Sequence, residues 1–441
     1  MEPGISNTNH KPPMSFSKSA TQNCHPNALR YTILAIRVIN QANLTKYMNQ
    51  KLPALFLSLS LLACANAQSA PFIPTSDATV LEHLPFKASD PTTRELRRMR
   101  DDLSANPLNL DKAIALAQRY FSLAMADGDP RFIGYAQAAL APWWELPEPP
   151  VAVLVQRATL RQYSHDFNRA LTDLNLATKL EPRNGTAWSL LAAIHMVQAD
   201  YATARHDCEN LNGLASKLIV IACSATVDSL NGQAVQGLHK LQTAYASTPG
   251  APANEQLWVL TRLAEMSDRL GDSAKAEAYF RAALKLNIPD AYLLAVYAEF
   301  LLDEKRYGEV IELLKNKERS DILLMRLALA EKASKAPKAE EHKEMIGTRF
   351  DAARMRGDKL HIQDESRFYL YFLNNSRESL RLAQENWLGQ HEPSDARMLL
   401  EAALAAKDVT AAQPALEWYT QSHIESRYLQ RLVESIRGLK S

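Results

Sequence analysis

From residue 151 to about residue 317, apolar positions recur at three-and-four spacing in paired runs, and each pair is closed by a turn signal. Residues 257–290, LWVLTRLAEMSDRLGDSAKAEAYFRAALKLNIPD, show it most clearly. Leu257, Leu260, Leu263 and Ala264 share one helical face. Gly271 ends that helix, and Asp272 is placed to cap the next. Ala276, Phe280 and Ala283 form the facing stripe, and Pro289-Asp290 stops the second helix. The pair closes in 34 residues. Neither helix can bury its apolar face alone, so the unit must stack on copies of itself.

Those copies are present. Residues 151–184 place Ala158 at the close-approach site, Asp166-Phe167 at the turn, and Ala170, Leu174 and Ala177 on the second helix. Gly185 opens the next copy, with Trp188, Leu191, Ala192, Asp200-Tyr201 and Ala204 at matching offsets. Residues 218–251 are a degenerate copy carrying Ala225, Gly232-Gln233, Gly237, Leu241 and Ala244. A last one from Ala291 has Ala298, Arg306-Tyr307 and Leu314. Small residues stand where two helices must approach, and an aromatic after the turn plugs the gap. In these features the stretch resembles the tetratricopeptide repeat. The resemblance implies an all-α protein, a right-handed α-solenoid of helix-turn-helix units.

On either side the pattern loosens. Residues 92–150 read as helical hairpins followed by a Pro/Trp connector, APWWELPEPP, in which Trp143 and Trp144 are expected to pack onto the array. The segment DPRFIGYAQAALAPWW also resembles one found in exported repeat proteins of Gram-negative bacteria, and it carries no activity with it. Residues 318–441 read as a degenerate helical array ending in a cap, because terminal repeats must present one soluble face. Phe368, Tyr369, Tyr371 and Phe372 are expected in its core.

The first 67 residues change the picture of location. Within 48–67, Lys51 precedes an apolar core of 12 residues, 52–63, and then Ala65-Asn66-Ala67. That order is a secretory signal, too short in its core to anchor in a bilayer. Met48 is then the expected start, 1–47 an over-extended leader, and 68–91 a Pro-containing tether. Leu61-Leu62-Ala63-Cys64 also resembles a lipoprotein box, so lipidation of Cys64 is the alternative to cleavage after Ala67. Membrane attachment is expected only in that case. The whole chain of 441 residues has formal charge +1, but the portion after residue 67 holds 44 basic and 48 acidic residues, net −4. Such a body offers no electrostatic footprint for nucleic acid.

No Gly-rich phosphate loop, HExxH or GxSxG occurs, and neither a cofactor nor a metal is expected. His195 falls at a core position. His206-Asp207-Cys208 fans out over different helical faces rather than converging. Asp101-Asp102 and Glu340-Glu341 read as solvated faces. Cys208 and Cys223 are the two cysteines of the exported body. They either pair, as an oxidising compartment favours, or sit as separate buried thiols.

Stacked hairpins curve, and their first helices line the concave side. The early repeats offer Val155, Thr159, Ser189, Ala193 and Thr226 there, small or apolar and unlike a carboxylate clamp. The later ones offer Arg262, Glu265, Arg269, Glu299, Asp303 and Arg326. These six are the expected contacts for a protein or peptide partner in the cell envelope. If they line an open groove, replacing Arg262 and Arg269 by Ala leaves stability nearly unchanged. The expected function is an exported scaffold without catalysis. The alternatives are an enzyme, or an enzyme's accessory subunit, with its site in 318–441, and an RNA-binding helical repeat, which the charge disfavours.

Overall fold

Among the described residues, eight turns end with the same pair of residues, one in the left-handed region and one whose N–H reaches back to the helix before it. His165, Ala199, Gly232, Gly271, Lys305, Lys335, Gly357 and Lys407 all have φ between 54° and 88°. The following N–H groups, of Asp166, Asp200, Gln233, Asp272, Arg306, Ala336, Asp358 and Asp408, bond the carbonyl five residues back at 2.8–3.0 Å. This wraps up a helix C-terminus and turns the chain sharply. The start signals are as regular. Asn109, Asn184, Asp200, Ser216, Asp272, Asp290 and Asn375 each accept the N–H three residues on, at 2.7–3.2 Å.

A computed structural model describes residues 89–439, together with Ser76 and Lys87. The leader, the signal and Cys64, and nearly all of the tether, lie outside the described residues. Among the described residues there are 21 helices and no strand. They are α1 (Pro91–Ser104), α2 (Leu110–Asp127), α3 (Arg131–Ala139), the short α4 (Ala141–Trp144), α5 (Val151–Tyr163), α6 (Phe167–Leu180) and α7 (Gly185–Val197). Next come α8 (Tyr201–Glu209), α9 (Lys217–Leu230), α10 (Ala234–Ala246), α11 (Ala253–Arg269), α12 (Ser273–Leu284), α13 (Ala291–Asp303) and α14 (Tyr307–Leu313). The chain closes with α15 (Asp321–Ser334), α16 (Ala339–Met355), α17 (Ile362–Tyr371), α18 (Ser376–Trp387), α19 (Pro393–Ala406), α20 (Gln413–Ser422) and α21 (Arg427–Gly438).

Consecutive helices pair as hairpins, notably α5 with α6, α9 with α10, α11 with α12 and α17 with α18, and first helices stack on first helices: α5 on α7, α9 on α11, α13 on α15, α17 on α19. The close-approach residues Ala158, Ala192, Ala225, Ala264 and Ala298 are completely buried, as are Ala170, Ala204 and Ala276 opposite them. At Gly237 on α10 the two helices of one hairpin approach closely: a Cβ there would lie 2.6 Å from the Ala225 carbonyl oxygen. Phe167 and Tyr201 plug the hairpins behind their turns, as the repeat pattern requires. The apolar residues form a chain of separate clusters, each shared by neighbouring hairpins, rather than one central core. The fold is an α-solenoid of tetratricopeptide-like helical hairpins. The connector behaves as its composition suggests: Trp143 and Trp144 pack against the first cluster, Arg157 bonds the Trp144 and Leu146 carbonyls, and Arg161 lies 5.6 Å over the Trp144 ring.

The solenoid then meets itself. Gly128, in the turn after α2, abuts Ser320 and Ala291, so tightly that a Cβ would come within 2.3 Å of Ser320 Oγ. Arg319 reaches to 3.8 Å from Asp129. The first hairpins therefore touch the start of α13 and the approach to α15.

Candidate functional site

The inner wall expected to hold a partner is built by the first helices, α9, α11, α13 and α15. The C-terminal helices fill the space in front of it. Residues 390–428 run along the row of hairpin turns: Gln390 bonds His165, the His391 N–H donates to the Val197 carbonyl at 2.7 Å, and His423 packs against Gly232. Glu425 accepts the Ala234 N–H, and Arg427 stands over Gly271. Trp418 Nε1 donates to the Tyr201 hydroxyl at 3.2 Å.

The six charges expected to face an open groove are engaged inside the chain. Arg262 pairs with Glu265 at 2.8 Å and lies 4.9 Å over the Tyr292 ring, whose hydroxyl donates to Glu265 at 2.6 Å. Arg269 donates to Ser229 Oγ at 2.8 Å. Glu299 accepts from Arg367 at 2.5 Å and has Arg326 at 3.3 Å and Arg397 at 3.7 Å. Asp303 takes both guanidinium nitrogens of Arg397 at 2.7 Å. Arg326 also meets Asp364 at 3.2 Å. In this structure these side chains meet partners of the same chain rather than an open groove. Curvature brings later helices of the same chain to this wall, and their opposite charges pair with it.

The electrostatics follow from enclosure. Burial alone would push the Glu299 carboxyl up, but Arg367, Arg326 and Arg397 outweigh it and hold it at about 2. Asp268, beside this wall, shows the reverse balance. It meets Arg427 at 2.8 Å, yet burial wins and pushes it up to about 6. Asp395, at the start of α19, is pushed up to about 7 by burial and by Glu392. It accepts from Glu392 N at 2.9 Å, Asn386 Nδ2 at 2.7 Å and Gln363 Nε2 at 2.8 Å. Tyr292 keeps 38% of its surface while burial holds its phenol well above the ordinary tyrosine range.

Sequence reading missed Asp268, Arg367, Arg397 and Arg427. A signal was present: the three arginines fall at intervals of 30 residues, on the first helices of the last three units. Cys208 and Cys223 are joined in a disulfide with Cα atoms 5.6 Å apart. His195 bonds Asp207 at 2.6 Å, so His206-Asp207-Cys208 does disperse over three directions. Among the described residues no group of three His, Cys, Asp or Glu is arranged to hold a metal.

No family model matches the sequence, and no curated protein sequence matches it. Solved structures resemble it at low similarity. A tetratricopeptide repeat protein from Parabacteroides merdae is 13% identical, covering 66% of this chain and 99% of its own, with a TM-score of 0.26. Yeast Tom70 is 11% identical over 79% of this chain and 95% of its own, TM-score 0.31. A human IFIT1 dimer with PPP-AAAA is 14% identical over 79% and 78%, TM-score 0.35.

Proposed function

We infer that this protein is an exported scaffold that holds a protein partner and turns nothing over itself. The observation that carries the reading is the inner wall of α11 and α13. It grips α-helices through side-chain charge, as Asp303 does with Arg397, so its chemistry is that of helix recognition. Stacked hairpins supply such a wall at fixed spacing, and its rigidity lowers the ordering cost of binding.

Export is supported by the signal-like order of residues 48–67 and by the disulfide between Cys208 and Cys223, which suits an oxidising compartment. No helix among the described residues is long and apolar enough to cross a membrane. In the region where an enzyme site was the alternative, Glu331, His342, Arg349, Glu365 and Arg381 are all taken up in ion pairs or hydrogen bonds with neighbours. The test is capture from the envelope fraction by tagged full-length protein, together with N-terminal sequencing of the native chain. A start at Gln68 and one protein retained in proportion to the bait support the reading. A native chain beginning at Met1, or no protein retained above a control bait, overturns it.

A further inference from the structure

The inner wall meets later helices through ion pairs, as at Asp303 and Arg397. The contact between the α18–α19 loop and the early turns is made of uncharged hydrogen bonds instead. The loop is residues 388–392. Gln390 Nε2 donates to His165 Nδ1 of the α5–α6 turn at 3.2 Å, across 225 residues of sequence. The His391 N–H donates to the Val197 carbonyl, at the end of α7, at 2.7 Å. Four of the eight histidines among the described residues gather where later units meet these turns. They are His165, His361 at the entry to α17, His391, and His423 against Gly232.

The direction of the bond between Gln390 and His165 is set from its far end. Asp395 Oδ1 takes Asn386 Nδ2 at 2.7 Å and Gln363 Nε2 at 2.8 Å, and it accepts them whether or not Oδ2 holds a proton. Asn386 therefore turns its oxygen to Gln390, whose Nε2 donates to it at 3.0 Å. That fixes the Gln390 amide with its nitrogen towards the turn. The row from Asp395 through Asn386 to Gln390 thus ends in a donor. His165 must accept it at Nδ1 and keep its own hydrogen on Nε2.

A proton on His165 Nδ1 meets that donor and finds no carboxylate at pairing distance among the described residues. Asp166, on the same turn, is held by Arg169 at 2.6 Å. From the α16–α17 turn Asp358 attracts the charge and His361 repels it. Asp321 of α15 lies 3.8 Å from His361 and is already paired with Arg349 at 2.8 Å. The loop itself offers His391, edge-on to Trp387 at 4.7 Å, and Glu392, which faces Arg262 and Arg269. Phe167 covers one face of the His165 ring at 5.6 Å. Burial and His361 together hold His165 down at about 4.

We propose that the loop 388–392 is an acid-released latch: a proton on His165 breaks its bond to Gln390 and frees the loop from the α5–α6 and α7–α8 turns. No helix has to leave its place. α18 and α19 stay joined through Leu380, Trp387, Ala396 and Leu399, and Arg397 still holds α19 to Asp303. The loop has room to move alone. Leu388 is 85% exposed, and a Cβ on Gly389 would meet nothing within 4 Å.

The test is amide exchange of the full chain, read by mass spectrometry and corrected for the intrinsic effect of pH. In residues 388–392, where the His391 N–H reports directly, protection should fall about tenfold or more between about pH 6.5 and about pH 4. α9 and α10 should keep theirs. His165→Asn retains an acceptor near the Nδ1 position, suits a residue at φ 57° and takes no proton. Its loop should stay protected over the same range. Flat protection in wild type, or a loss in His165→Asn equal to that of wild type, overturns the proposal. If the variant does not fold, wild type decides through the His165 imidazole signal in NMR. Its titration and the loss of protection should share one midpoint, and midpoints more than about one pH unit apart overturn the latch.

Discussion

Arg397 holds Asp303 through both terminal guanidinium nitrogens, each at 2.7 Å, across 94 residues of sequence. The pair is two-pronged and mostly buried, with side-chain exposures of 22% and 12%. Truncating one partner leaves the other charge enclosed. Arg397→Ala should therefore lower stability by about 3 kcal/mol, less whatever Arg367 supplies to Asp303 in its place. Urea unfolding of Arg397→Ala, Asp303→Ala and the double variant checks this. The double variant should be less destabilised than the two singles summed, because it buries no orphaned charge. Additive losses would show that the two side chains do not act together.

The same logic bears on Arg262 and Arg269. Arg262 pairs with Glu265 and stacks on Tyr292, and Arg269 ties α11 to Ser229 of α9. Replacing both with Ala should cost about 2 kcal/mol, since it leaves Glu265 and Ser229 without these partners in an enclosed site. Melting followed by far-UV circular dichroism measures it, and an unchanged midpoint would return these residues to an open groove.

Gly237→Ala should destabilise the protein although Ala is the better helix former. Propensity favours the change by roughly 1 kcal/mol. Yet a Cβ at 2.6 Å from the Ala225 carbonyl oxygen forces α9 and α10 apart. The net loss should be about 1–2 kcal/mol. Gly134→Ala, where a Cβ meets nothing within 4 Å, is the matched control and should be neutral or stabilising.

Cys208 and Cys223 lie 15 residues apart, so their disulfide removes chain entropy worth about 3 kcal/mol from the unfolded state. Reduction with dithiothreitol should lower the melting midpoint, and Cys208→Ala with Cys223→Ala should reproduce the loss and abolish the response to reductant. Mass spectrometry without reduction should show no free thiol at either position.

Stability should depend on pH through Asp395. Its folded value of about 7 lies above its ordinary 3.8, so the folded state holds the proton more tightly. The contribution is complete below about pH 4 and is lost as pH rises through 7. His165 works in the opposite sense: burial holds it near 4, so acidification from about 6.5 to 4 costs stability. Glu299, held at about 2, adds stability that is lost only below about pH 4.5. The wild-type curve is their sum. The difference between wild type and Asp395→Asn isolates Asp395, and it should favour wild type less as pH rises from 5 to 8. A difference that is flat over that range would contradict the assignment.

Sequence alone determined the helices, their pairing and their stacking. Those features are written in short-range terms: apolar residues at three-and-four spacing, Ala158 or Ala264 where helices touch, Gly271 and Asp272 at a turn. The degenerate copy was legible too, because Gly237 stands where only a small residue fits. Whether the groove is open was decided by tertiary structure. Each repeat adds a small rotation, and only their sum brings Gly128 to Ser320 and Arg397 to Asp303. Nothing local to Asp303 specifies a partner 94 residues away. Its charge reads the same whether it faces water, a partner or its own chain, because the identity of a side chain fixes its chemistry and curvature fixes what it meets.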